Sequence, residues 1–183
     1  LPALPLTKTL AQPLTQLLDS RFMALRRRYS MATPTYTLID SVTLGSSASS
    51  VTFSSISATG KGDLVLVVNA QNGVTMQFNG DSGSNYSYVQ MSGNGSVTNS
   101  YTESSQSSLA GGYYTNAGLH RLEIFDYSNT TKHKSCLKRN DKAGAATLAM
   151  AGRWGSTAAI TSVSTNGSLL AGDTFHLYQL VSE

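Results

Sequence analysis

The sequence is short of charge, cysteine and proline. Only 13% of its 183 residues are Asp, Glu, Lys or Arg, about half the share in an ordinary soluble domain. A helical bundle clothes itself in Glu, Lys and Arg, so this scarcity speaks against one. Cys136 is the single cysteine, which excludes an intrachain disulfide and a zinc site built from several thiolates. The longest aliphatic run, Leu64–Val68, falls far below the roughly 20 residues of a membrane-spanning helix. The N-terminus does not read as a secretory signal, because its arginines follow the apolar part instead of preceding it.

Hydroxyls fill the gap left by charge. Ser and Thr together number 47, beside 16 Gly and 4 Pro. Such a chain favours many short strands with hydroxyl-bearing outer faces and Gly/Asn/Ser turns. At 183 residues it makes one domain with a core of its own.

The formal net charge is +3 and the pI about 9.0, but the charge is unevenly spread. Residues 1–30 hold Lys8, Arg21, Arg26, Arg27 and Arg28 against Asp19, a net of +4, which leaves −1 for all the rest. Basicity therefore belongs to a short N-terminal arm. After an extended stretch, Pro13 is a good first helical residue. Leu14, Leu17, Leu18, Phe22 and Leu25 then recur at helical spacing up to Arg26–Arg28, interrupted by Arg21. The expectation is an arm with a short amphipathic helix over 1–30, in need of a partner, and a β-domain over 31–183.

Within that body, about eight to ten short strands recur with turn signals between them and no helical period. This is the pattern of an antiparallel β-sandwich or jelly roll. Asp63–Ala70 reads as a strand buried on both faces, Asn72-Gly73 as a hairpin turn, Ser92–Ser108 as loop or weak edge strand, and Ile160–Val163 as a late strand.

Candidate chemistry is sparse. Gly80-Asp81-Ser82-Gly83 resembles the surroundings of a serine-protease nucleophile, but a turn rich in residues tolerant of positive φ explains it without catalysis. Asp81, Ser82 and Asn85 lack the spacing of a calcium loop. His120, His133 and His176 lie in separate segments with no ligand pair, so no metal and no cofactor is expected. Lys132, His133, Lys134, Lys138, Arg139 and Lys142 form a basic run, read as a solvated edge strand guarded by lysines. Cys136 reads as a small strand residue. Tyr86, Tyr88, Tyr113, Tyr114 and Trp154 are a candidate sugar-stacking surface, although each is also an ordinary strand residue.

Tyr36–Ile56 (YTLIDSVTLGSSASSVTFSSI), DLVLVVNA, FNGDSGSNYSYVQM, IFDYSNTTKHKS and AGRWGSTAAITSVS, in this order, resemble small β-rich virion proteins of tailed phages, those of cyanophages and other marine phages above all. The resemblance spans nearly all of 31–183 and none of 1–30. It implies a virion structural protein without catalytic residues, and a trimer as a fitting assembly. The expected role is capsid decoration or cement, with Leu14, Leu17, Leu18, Phe22, Leu25 and Arg26–Arg28 anchoring the chain to the major capsid protein or another virion protein. Nucleic acid is expected at most as an arm contact. The alternative is a lectin-like, receptor-binding tip of a tail or head fibre.

Overall fold

The computed structural model describes residues 35–110, 116–142 and 145–180. The chain divides into two units, Leu1–Pro34 and Thr35–Glu183. All described residues belong to the second, and the expected arm and its helix lie outside them.

The described residues are all-β. They form Tyr36–Thr43 (β1), Ala48–Phe53 (β2), Asp63–Asn72 (β3), Val74–Phe78 (β4), Tyr86–Gly93 (β5), Thr98–Gln106 (β6), Leu109–Ala110 (β7), Asn116–Ile124 (β8), Lys134–Lys142 (β9), Ala146–Trp154 (β10), Val163–Leu169 (β11) and Thr174–Leu180 (β12). A large sheet has the order β1-β12-β3-β8-β9-β10-β5-β6, and a small one β2-β11-β4-β7. All pairings are antiparallel, and the two sheets form a β-sandwich. Twelve strands exceed the expected eight to ten, partly because the two-residue β7 has no sequence signal of its own.

Alternation explains most of this architecture. In β4, Val74, Met76 and Phe78 are buried while Thr75 and Gln77 are partly exposed. In β10, Leu148, Met150, Gly152 and Trp154 point inward, and Ala149, Ala151 and Arg153 outward. Period two places one face of each strand in the core. There Leu64, Leu66, Val68, Phe53, Leu122, Ile124, Val163, Phe175 and Leu177 meet. Val65, on the opposite face of β3, is also buried at 3%, but Asp63 and Val67 on that face are half-buried and Asn69 is exposed, so the strand is covered on one side and only locally on the other. Gly152 is required by packing. A Cβ there would stand 2.8 Å from Leu109 Cδ2 and 3.0 Å from Cys136 Sγ.

Three further expectations need correction. Asn72-Gly73 is not a hairpin, because β3 and β4 lie in different sheets. It is a corner at which the chain changes layer, and turn-forming residues serve either purpose. The late strand runs Val163–Leu169, not Ile160–Val163. Asn166-Gly167-Ser168 resembles a turn but lies within the strand at a shift of register. At Gly167 a Cβ would come within 2.8 Å of the Gly73 carbonyl oxygen, so this close approach calls for glycine. The basic run is not an edge: β9 is central, between β8 and β10. Ser92–Ser108, by contrast, contains β6, an edge strand as expected.

The crossing from β4 to β5 is held by one carboxylate. Asp81 Oδ2 accepts from Trp154 Nε1 at 2.7 Å and from Asn85 Nδ2 at 2.9 Å, and Asp81 Oδ1 accepts from the Gly83 amide at 2.8 Å. Tyr86 Oη donates to the Asp81 carbonyl at 3.1 Å and accepts from the Phe78 amide at 2.9 Å. Phe78 of the small sheet thereby packs against Tyr86 and Trp154 of the large one, with ring centroids 6.0 and 5.7 Å away. The indole bond, above all, holds the Asp81 carboxyl below the usual carboxylate range, against desolvation, with Asn85 and Gly83 helping. A carboxylate with a lowered native pKa stabilises above its unfolded value and loses that contribution as pH falls through the native one. Asp81→Ala is expected to cost about 1–3 kcal/mol at pH 7, since it leaves a buried indole N–H unpaired. The gap from wild type, measured by urea denaturation, should shrink as pH drops below about 4.

Candidate functional site

The structure scatters the residues singled out by sequence. Leu14, Leu17, Leu18, Phe22, Leu25 and Arg26–Arg28 lie outside the described residues, as do Tyr113 and Tyr114. Tyr86, Tyr88 and Trp154 are 0, 6 and 2% exposed. They are core side chains, so they offer no face to a sugar, and their spacing reflects the inward face of β5 and β10. The Asp81 loop offers no oxygen cage for a cation, because donors already occupy its carboxylate.

The basic run is split between two faces. Strand β9 alternates in the reverse of the usual sense: Lys134, Cys136, Lys138 and Asn140 are buried, while Ser135, Leu137, Arg139 and Asp141 are exposed. The Lys134 ammonium donates to the carbonyls of Asn129, Lys132 and Thr157, so it ties together two loops at one end of the sandwich. Lys132 pairs with Asp126 at 2.8 Å. His133 Nδ1 accepts from Arg153 Nε at 3.0 Å. Among the described residues no group of three His, Cys, Asp or Glu could hold a metal.

Lys138 is the exceptional cation. It is 1% exposed, sits opposite Leu122 and Met150, and donates to the Val74 carbonyl at 3.3 Å. Burial pushes its pKa down to about 8, partly opposed by Cys136. Burial likewise raises the Cys136 thiol to about 12, against the pull of Lys138 and a bond from the Gly152 backbone. A thiol so held is not a nucleophile at neutral pH.

The outer face of the large sheet is where the molecule is open. Along β10, Ala149 and Ala151 form a furrow between Val89 and Met91 of β5 and Leu137 and Arg139 of β9. Val89, Met91 and Leu137 are 48, 65 and 47% exposed. Two adjoining grooves of about 290 and 530 Å³ run here and share Met91, Ser100 and Ala149. Sequence reasoning missed this surface, because its exposed apolar groups come from β5 and from the consecutive β9 and β10, which are far from β5 in sequence.

The electrostatics of Lys138 are directly testable. A base whose native pKa lies below its unfolded value destabilises the fold at neutral pH, and that penalty lifts as pH rises from about 8 towards 10.5. Lys138→Met is expected to raise stability by about 1–3 kcal/mol at pH 7. Its advantage over wild type should narrow between pH 8 and 10 in denaturant titrations, where the contribution of Cys136 is common to both proteins. Comparison with protein-family models and with curated proteins finds no match to the chain.

Proposed function

We propose that the chain is a structural protein of a tailed-phage virion, and that it decorates the capsid surface. The reading carries over the resemblance of five segments, and the fold lends it support. Two of these segments, FNGDSGSNYSYVQM and AGRWGSTAAITSVS, contain Asp81 and Trp154, whose bond ties the β4–β5 crossing to the end of β10. The resemblance therefore touches residues on which the architecture depends. The sandwich is of jelly-roll type in this reading: the chain passes between the large and small sheets at β1–β2, β2–β3, β3–β4 and β4–β5.

The observation that carries the reading is the open apolar furrow at Val89, Met91, Leu137, Ala149 and Ala151. Contiguous apolar surface on a sheet face marks an interaction site. The partner is the major capsid protein or another virion protein. Residues 1–30 supply a second attachment through Leu14, Leu17, Leu18, Phe22 and Leu25, with Arg26–Arg28 set against acidic surface. Several copies, a trimer by resemblance, would multiply both. The fibre-tip reading is favoured by a separate feature, the exposed aromatic cluster around Tyr36.

Two attachments act multiplicatively, so loss of either weakens retention by about a hundred-fold. Virions carrying the chain without residues 1–30, or with Met91→Glu, should show a sharply reduced copy number by gel densitometry after washing. Full occupancy by the truncated chain would refute the anchoring role, and a copy number of only a few per virion would favour the fibre tip.

A further inference from the structure

The outer face of the large sheet carries a second feature, towards its β1 edge. Tyr178 on β12 lies opposite Leu38 of β1 and Val65 of β3. Tyr36 meets Tyr178 edge to face, with ring centroids 6.4 Å apart and planes at 88°. His176, two residues along the same face, is tilted by 33° from Tyr178 at 6.3 Å. From β8, Arg121 Nη2 pairs with Glu123 Oε1 at 2.9 Å and donates to Tyr36 Oη at 3.2 Å. Tyr36 is 46% exposed and the Arg121 side chain 42%, while Glu123 keeps 24%. Two aromatic planes at a right angle thus make a corner, and a guanidinium and a carboxylate stand beside it.

We infer that this corner is a binding site for a pyranose unit of a glycan. A pyranose has an apolar face of C–H bonds and a rim of hydroxyls that both donate and accept. The apolar face suits an aromatic ring, whose π-surface is negative. The rim suits the charged pair. Glu123 accepts hydroxyl protons, and of the Arg121 nitrogens Nη2 makes the contacts above and Nε is buried, which leaves Nη1 to donate. Other ligand classes fit less well. Glu123 beside Arg121 repels a free anion, and a purely apolar partner would strip water from both charges without replacing it. The tyrosines suspected from sequence, Tyr86 and Tyr88, are buried; Tyr36 and Tyr178 are the pair at the surface. The site is the feature that favours the fibre tip, but a sugar site fits a decorated capsid surface as well, so its failure leaves the decoration reading standing.

The test is titration of the full chain with maltohexaose, mannohexaose and chitohexaose, followed by calorimetry and by the Arg121 side-chain NH signal in NMR. Saturable binding of at least one of them is expected, with a Kd of about 0.1–10 mM. Tyr36→Ala and Glu123→Gln should each weaken it about ten-fold, and Thr102→Ala, on the same face but on β6 at the opposite edge of the sheet, should not. Thermal melting checks that each variant folds, and exposed Tyr36 carries the test if Tyr178→Ala does not. Absence of saturable binding across the panel would overturn the inference, as would binding unchanged by both Tyr36→Ala and Glu123→Gln.

Discussion

The hydrogen bond from the Trp154 indole to the Asp81 carboxylate constrains everything around it. The two residues are 73 positions apart, at the end of β10 and in the crossing from β4 to β5. The crossing leaves the small sheet at Phe78 and enters the large one at Tyr86, so its shape fixes how the layers face each other. With Asp81 held by Trp154, Asn85 and its own loop, Tyr86 can close a second bond to the Phe78 amide. Three aromatic rings then fill the space between the sheets. Asn79, at a positive φ of 52°, extends the same device. Its side-chain oxygen accepts from the amides of Thr161 and Ser162 and ties the crossing to the approach of β11.

A core that contains ammonium groups needs explanation. Lys134 replaces what a small cation would do elsewhere, since it collects loop carbonyls around a positive charge. Lys138 donates to the Val74 carbonyl of the opposite sheet, and a lowered pKa marks the cost of its burial. Cross-sheet polar contacts of this kind are more directional than aliphatic packing. They favour one register of β9 over its one-residue slip, which would turn Leu137 inward and both lysines out.

That reversed alternation also shows what sequence reading can and cannot reach. Strands such as Val74–Phe78 and Ala146–Trp154 were legible because their inward residues are apolar and their outward ones polar or small. In β9 the lysines looked like solvated residues, because local pattern carries no information about a carbonyl 64 residues away. Asn72-Gly73 gave a turn correctly but not its layer change, since a corner and a hairpin draw on the same residues. Aromatic content pointed to a surface, yet only the partners of each ring separate Tyr86, locked beneath Asp81, from Tyr36, standing beside Arg121.

The position of β1 has a kinetic consequence. Among the described residues its one ladder partner is β12, so this early strand waits for that pairing until residues 174–180 leave the ribosome. β3 likewise needs β12 on one side and β8 on the other. Such long-range closure is slow, because a large loop must be ordered before the contacts form. Until then Tyr36, Leu38 and Ile39 lie along an unpaired strand. The hydroxyl-rich turns and strand faces then serve a second purpose: they hinder the waiting chain from sticking to its neighbours.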